Sequence, residues 1–413
     1  MSITSILQRV TKAQREGRLL SAVSSRLKPF LYGIKHTINN PAAAKRITLH
    51  CPDYVNPSND SNEVNIVKRI FQSYKRMKED QKTVSDLFLP SALWQAHLDS
   101  SGSSYSYLTD GLKYNDMEKF HYFLSNFGTW KVYHGIESQT LIRDNMNSLI
   151  RRNYLKNIVF LNQLNLWNVF SANKKPISCL SYPTYGNQAG AYIDGEFVGV
   201  GSFFNEIYGS MLADIISDIK RPTVADLGAG YGKLAFFTLR NVDNFCFIDF
   251  DLPETLCLAA YFLMNTWPNK KTLLYGEQEY SQGQHKKYDL IFMPSWEIVK
   301  PGENSIDLFI NKNSLGEMSK NAAINYVDNI ARSTKYFFHE NHEVYRNTYS
   351  NDSSGLLGYE YPVPKDKFKL LFKYPDIGHI LYQGGVEGID IFLYLYERRL
   401  GAKAGFQPAD RTG

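Results

Sequence analysis

The chain has 413 residues, 43% of them hydrophobic and 14% aromatic, enough for two or three domains with sizeable cores. No apolar run approaches the length of a membrane-spanning helix, and no charged–apolar–small leader opens the sequence. The net charge of +5 is unevenly placed: residues 1–50 hold nine Lys/Arg and one acid, Glu16, a local +8 that leaves −3 for the remainder.

Residues 1–50 therefore read as a basic arm. Arg9, Lys12, Arg15, Arg18, Arg26 and Lys28 alternate there with Ile6, Leu7, Leu19, Leu20, Val23 and Leu27. Such an arm could lie peripherally on the inner, anionic face of a membrane, or equally be a solvated helix or a loosely ordered tail. Nucleic acid is not expected as a partner, because no recognised binding module accompanies the charge. The four cysteines, Cys51, Cys179, Cys246 and Cys257, lack C-x-x-C spacing and suit a reducing cytoplasm. The histidines are scattered without metal-ligand spacing, so no metal centre is expected.

Residues 51–180 read as a mainly helical, aromatic-rich domain. Val64, Val67, Phe71, Tyr74 and Met77 recur at helical spacing over 63–79. Ser100–Ser104 is a break, and a helical pattern runs from Tyr114 to about Phe170. Residues 181–400 form the second domain. Its lead-in carries Gly186, Gly190, Gly195 and Gly199, with Asp194-Gly195 as a hairpin turn signal. A helix at about 204–219 and a strand at 222–227 follow.

Asp226-Leu-Gly228-Ala-Gly230-Tyr-Gly232-Lys233 then reads as a strand end, a tight glycine turn and a helix start. A dinucleotide-binding loop would have its third glycine where Lys233 stands. The G-x-G-x-G spacing after an acid instead resembles motif I of the class I S-adenosylmethionine-dependent methyltransferases. Lys233 itself reads as an exposed helix residue.

The second strand, Cys246–Asp251, ends in two acids about twenty residues downstream, where a ribose needs a carboxylate. Asp251, in the run Asp251-Leu252-Pro253, is the favoured ribose ligand; Asp249 is the alternative, and either could simply cap the helix that Pro253 opens. The third strand is either 272–277 or 288–294. The loops after them, Glu277-Gln278 and Pro294-Ser295-Trp296, are the candidates to hold an adenine. A strand through 305–311 delivers Asn311, Asn313, Ser314 and Glu317 to the same sheet edge. A helix over 322–330 leads to a strand at 336–338 that ends in His339-Glu-Asn-His342. Late strands fall near 368–374 and 389–396, and the tail 401–413 reads as disordered.

Taken in order, DLGAGYGKLA (226–235), DLPETL (251–256), DLFINKNSLGEM (307–318) and YFFHEN (336–341) resemble the sugar O-methyltransferases found with bacterial surface-polysaccharide loci. The resemblance covers roughly residues 180–345. It implies an α/β class I methyltransferase fold, with a Rossmann-like, mostly parallel doubly wound sheet behind an N-terminal mainly α-helical domain. It also implies S-adenosyl-L-methionine as donor and a sugar or glycan hydroxyl as acceptor. On that basis Gly228, Gly230 and Gly232 would pack against the donor, Asp226 would receive its ammonium and Asp251 its ribose. Leu252, Glu277, Asn311 and Ser314 would complete the cofactor site. A hydroxyl acceptor calls for a general base. Glu317 is the first candidate, against a bland role as capping-box partner of Ser314. His339 and His342 are the alternatives.

Overall fold

The computed structural model describes residues 45–99, 105–130, 142, 146, 149–347, 355–376 and 390–399. The basic arm up to residue 44 and the tail 401–413 lie outside these residues. The chain divides into two compact units: Met1–Val55 with Asn126–Tyr208 and Ile377–Ile389, and Asn56–Ser125 with Gly209–Asp376 and Asp390–Gly413.

In the first unit β1 (Ile47–His50), β2 (Gly190–Ile193) and β3 (Glu196–Gly199) form an antiparallel sheet in that order. Residues 47–50, expected within the arm, are thus a strand paired along its length with β2. Asp194 and Gly195 both take positive φ, 51° and 90°, as a two-residue hairpin turn requires. Ile47, Ala191 and Val198 pack with Leu164, Trp167 and Leu180 from the helical stretch 149–180.

The second unit is built on eight strands: β4 (Thr223–Leu227), β5 (Cys246–Asp251), β6 (Thr272–Leu274), β7 (Leu290–Pro294), β8 (Ile306–Lys312), β9 (Thr334–His342), β10 (Phe368–Pro375) and β11 (Ile391–Arg398). Their order is β10-β11-β9-β8-β4-β5-β7-β6, parallel from β6 through β9, with β11 and β10 antiparallel at one edge. Both candidate third strands exist. The fully buried β7 lies against β5, and the three-residue β6 forms the edge beyond it.

Apolar runs without alternation suit strands covered on both faces. The helix Lys320–Ser333 buries Ala323, Tyr326, Val327 and Ile330 in the same cluster as Ala225, Ile248 and Phe309. The helix Ser61–Asp80, capped by the Asp60 carboxylate on the amides of Asn62 and Glu63, packs on Pro253–Thr266. The Tyr74 hydroxyl donates to buried Glu254 at 3.0 Å there. The expected single helical block 51–180 is therefore split: residues 56–125 group with the large sheet, and 126–180 with the small one.

Candidate active site

The C-terminal edge of the parallel strands concentrates buried acid. Asp226, Asp249 and Asp251 are 2%, 0% and 8% exposed. Asp226 is in register with Asp249, and Asp251 lies two residues on, so all three carboxylates emerge on one face of the sheet. Burial raises Asp226, and the Asp251 charge adds to it, against a lowering influence from Lys312. Burial, then Asp251 and Asp226, hold Asp249 well above the carboxylate range, and the Ala229 amide offsets only part of this. Burial lifts Asp251 to about 7, against lowering hydrogen bonds from Thr255 and from the amides of Leu252 and Gly230.

Among the described residues, Oδ1 of Asp226, both oxygens of Asp249 and Oδ2 of Asp251 find no partner in good hydrogen-bond geometry. Each buried acceptor left open costs on the order of 1–3 kcal/mol. A ligand bearing N–H and O–H donors would remove that cost.

Beside these acids runs the glycine turn. Gly228, Gly230 and Gly232 take φ of 83°, 63° and 84°, the left-handed region that favours glycine. A Cβ on Gly228 would lie 2.6 Å from the Ser314 side chain, and one on Gly232 would lie 2.8 Å from Leu263. Conformation and close packing both demand glycine at those two positions. The helix Lys233–Leu239 starts directly from the turn. Lys233, expected to be exposed, is 4% exposed, because every residue of this short helix is buried.

The other expected cofactor residues divide. The Leu252 amide donates to Asp251 Oδ1 at 2.7 Å, so one oxygen of Asp251 is held by the neighbouring backbone and the other stays open. Asn311 and Ser314 are turned to the backbone behind the glycines. Asn311 Nδ2 and Ser314 Oγ both donate to the Leu227 carbonyl, at 2.9 and 2.7 Å, and Asn311 Oδ1 accepts from Asn341 at 2.9 Å. Their place is to fix the end of β4. Glu277 is held by Arg69 through two bonds of 2.7 and 3.0 Å and also accepts the Leu274 amide. It sits after the edge strand, one strand removed from β5, so the Pro294–Trp296 loop is the one beside Asp251.

A second cluster lies past the ends of β8 and β9. Glu317 closes the short turn Leu315–Glu317, and its Oε2 accepts from Trp94 Nε1 at 2.8 Å. Burial raises its carboxyl, while the Trp94 bond and the nearby His342 act to lower it. The capping-box reading fails: Ser314 caps nothing with its side chain, and Ser319 caps the helix that begins at Lys320. His342 Nδ1 pairs with Asp390 through a short hydrogen bond. Asp390 is 2% exposed and would be raised by burial. The amides of Tyr345 and Val344 and the His342 ring nevertheless bring it below the usual carboxylate range. Its Oδ1 accepts from the amides of Glu343, Val344 and Tyr345, which locks the His342 orientation.

His339 is a different case. It is fully buried, stacked on Tyr394 at 4.4 Å between ring centroids, and burial lowers it to about 3. It is a neutral ring in an aromatic stack and is not placed to exchange protons with a ligand. Tyr105, 2% exposed, feels the charge of both Asp251 and Glu317 and so stands near both clusters.

Asp390, Trp94 and Tyr105 were missed by sequence reasoning. Asp390 meets His342 only because β11 pairs antiparallel with β9, and Trp94 reaches Glu317 from a helix far upstream. Neither meeting has a local signal. Among the described residues no His/Cys/Asp/Glu group could hold a metal ion, and no helix is long and apolar enough to cross a membrane.

The strand order, the antiparallel edge and the glycine turn after β4 together decide the architecture. It is a doubly wound α/β fold in the strand order of the class I methyltransferases. No protein-family model matches the chain, and no curated protein matches it. Among solved structures it is similar to the N-methyltransferase NodS from Bradyrhizobium japonicum WM9 in complex with S-adenosyl-L-homocysteine. That match has 9% identity and a TM-score of 0.30 over 46% of this chain and 85% of that one. It is also similar to magnesium protoporphyrin IX methyltransferase from Synechocystis PCC 6803 with bound SAM, at 12% identity and a TM-score of 0.30, over 48% of this chain and 83% of that one. A TehB-like SAM-dependent methyltransferase from Corynebacterium glutamicum matches at 11% identity and a TM-score of 0.30, over 58% and 97%. Likeness at this level carries no argument about ligand or acceptor, which rest on the site's own geometry.

Proposed function

We propose that this chain is an S-adenosylmethionine-dependent O-methyltransferase acting on a sugar hydroxyl in glycan or surface-polysaccharide assembly. The observation that carries the donor is the set of open, buried carboxylate oxygens around a positive-φ glycine turn. Bound there, the sulfonium donor would supply an activated methyl carbon. Asp226 would accept from the ammonium, Asp251 Oδ2 from the ribose hydroxyls, and the Pro294–Trp296 loop would border the adenine. The absence of a phosphate on such a ligand suits a site lined with acids.

The sugar acceptor is supported by the NKNSLGEM run and by an aromatic side chain bonded to a carboxylate, Trp94 to Glu317, beside a held imidazole. With Nδ1 facing Asp390, His342 would have Nε2 to take the proton of an acceptor hydroxyl whose oxygen displaces the thioether sulfur from the methyl carbon. Glu317 then holds and orients the hydroxyl, a contribution of placement. His342→Ala should lower kcat by roughly 10²–10⁴-fold with donor affinity unchanged. Glu317→Gln should mainly raise KM for the acceptor. Turnover assays on a panel of sugar and nucleotide-sugar acceptors measure both. A variant lacking His342 at full activity, with Glu317→Gln dead, would transfer the base role to Glu317.

A further inference from the structure

One cation on the acidic face has no part in the scheme above. Lys312 is the last residue of β8, two residues beyond Ile310, which is in register with Asp226. Residues two apart share a face, so Lys312 projects on the side that carries Asp226, Asp249 and Asp251, at the level of the glycine turn. Its ammonium lies 3.7 Å from Glu340, and its side chain keeps 24% exposure. It is also the cation that acts on the Asp226 carboxyl.

A group with one cation and one buried acid side by side at a strand edge is complementary to a zwitterion. We propose that Lys312 binds the α-carboxylate of the donor's methionine portion, opposite Asp226, which takes the α-ammonium. This rests on the donor reading and adds the part of the ligand that the three acids could only repel. It also explains why an acid-lined edge would select an intact amino-acid end over a simple amine. Without a cation there, the carboxylate would face Asp226 and Glu340 at short range, and like charges in a buried site are strongly unfavourable.

The experiment is calorimetric titration of the full chain with S-adenosylmethionine and with its decarboxylated form, which keeps the amine and loses the carboxylate. The natural chain should bind the intact form about tenfold or more tightly, the scale of one charged hydrogen bond. In Lys312→Met that ratio should collapse, with affinity for the decarboxylated form little changed, and Lys312→Arg should keep most of it. A lysine that only neutralised its acidic neighbours would alter both ligands alike. Equal affinities in the natural chain, or an undiminished ratio in folded Lys312→Met, would overturn the inference while leaving the donor reading in place. Binding of neither ligand by the folded natural chain would remove both.

Discussion

At the scale of single residues, ionisation separates roles that the sequence left open. His339 and His342 stand three apart, and nothing local distinguishes them. Pairing with β11 gives one an aspartate and the other a tyrosine face. His339 titrates near 3 when folded and near its ordinary 6.5 when unfolded, so below 6.5 the unfolded state binds the extra proton. Stability is therefore full above about 6.5 and is lost as pH falls from there toward 3. His339→Leu should flatten that acid limb in denaturant titrations between pH 4 and 7 and leave methyl transfer intact. Loss of activity with unchanged acid sensitivity would mean that the buried imidazole has another task. The glycine turn was legible because Asp226, Gly228, Gly230 and Gly232 stand in one run of sequence between a strand and a helix. The partners of Glu277, Asn311 and Ser314, namely Arg69, the Leu227 carbonyl and Asn341, come from other elements and had no local signal.

Among the elements, the joint between β4 and the helix Lys233–Leu239 is the least tolerant. Gly228 combines left-handed φ with a Ser314 side chain against the place of its missing Cβ. Gly228→Ala should cost about 1–3 kcal/mol from strain of this kind, read as a lower midpoint in urea unfolding. Adding Ser314→Gly should recover only the steric part, because φ stays positive. Full recovery would show that packing alone selects the glycine. The alternation of strands and helices was readable here, since each apolar run is bounded by polar or glycine-rich turns. Lateral order was less readable: β6 and β7 have similar composition, and only hydrogen bonding decides which one touches β5. β1 was invisible for a related reason, its partner β2 being far along the chain.

For the molecule as a whole, the proposed acceptor side draws on a helical segment that joins the large sheet's unit from upstream. Residues 56–125 bring Trp94 and Tyr105 to the strand edge, so the site is assembled from distant sequence. Trp94→Phe removes the donor that helps keep Glu317 ionised, which should move the acidic limb of the kcat/KM profile to higher pH. An unshifted profile would leave Trp94 a packing role only. Calorimetric titration with S-adenosylmethionine at pH 6 and pH 8, with Asp251→Asn alongside, tests the donor site. Asp251 is half-protonated near 7, so ribose binding should strengthen as pH rises and the carboxylate forms. Saturable binding, tighter at pH 8, and weaker with a smaller pH dependence in Asp251→Asn, is the expected result. A folded chain that binds neither the donor nor its demethylated product at either pH would contradict the assignment.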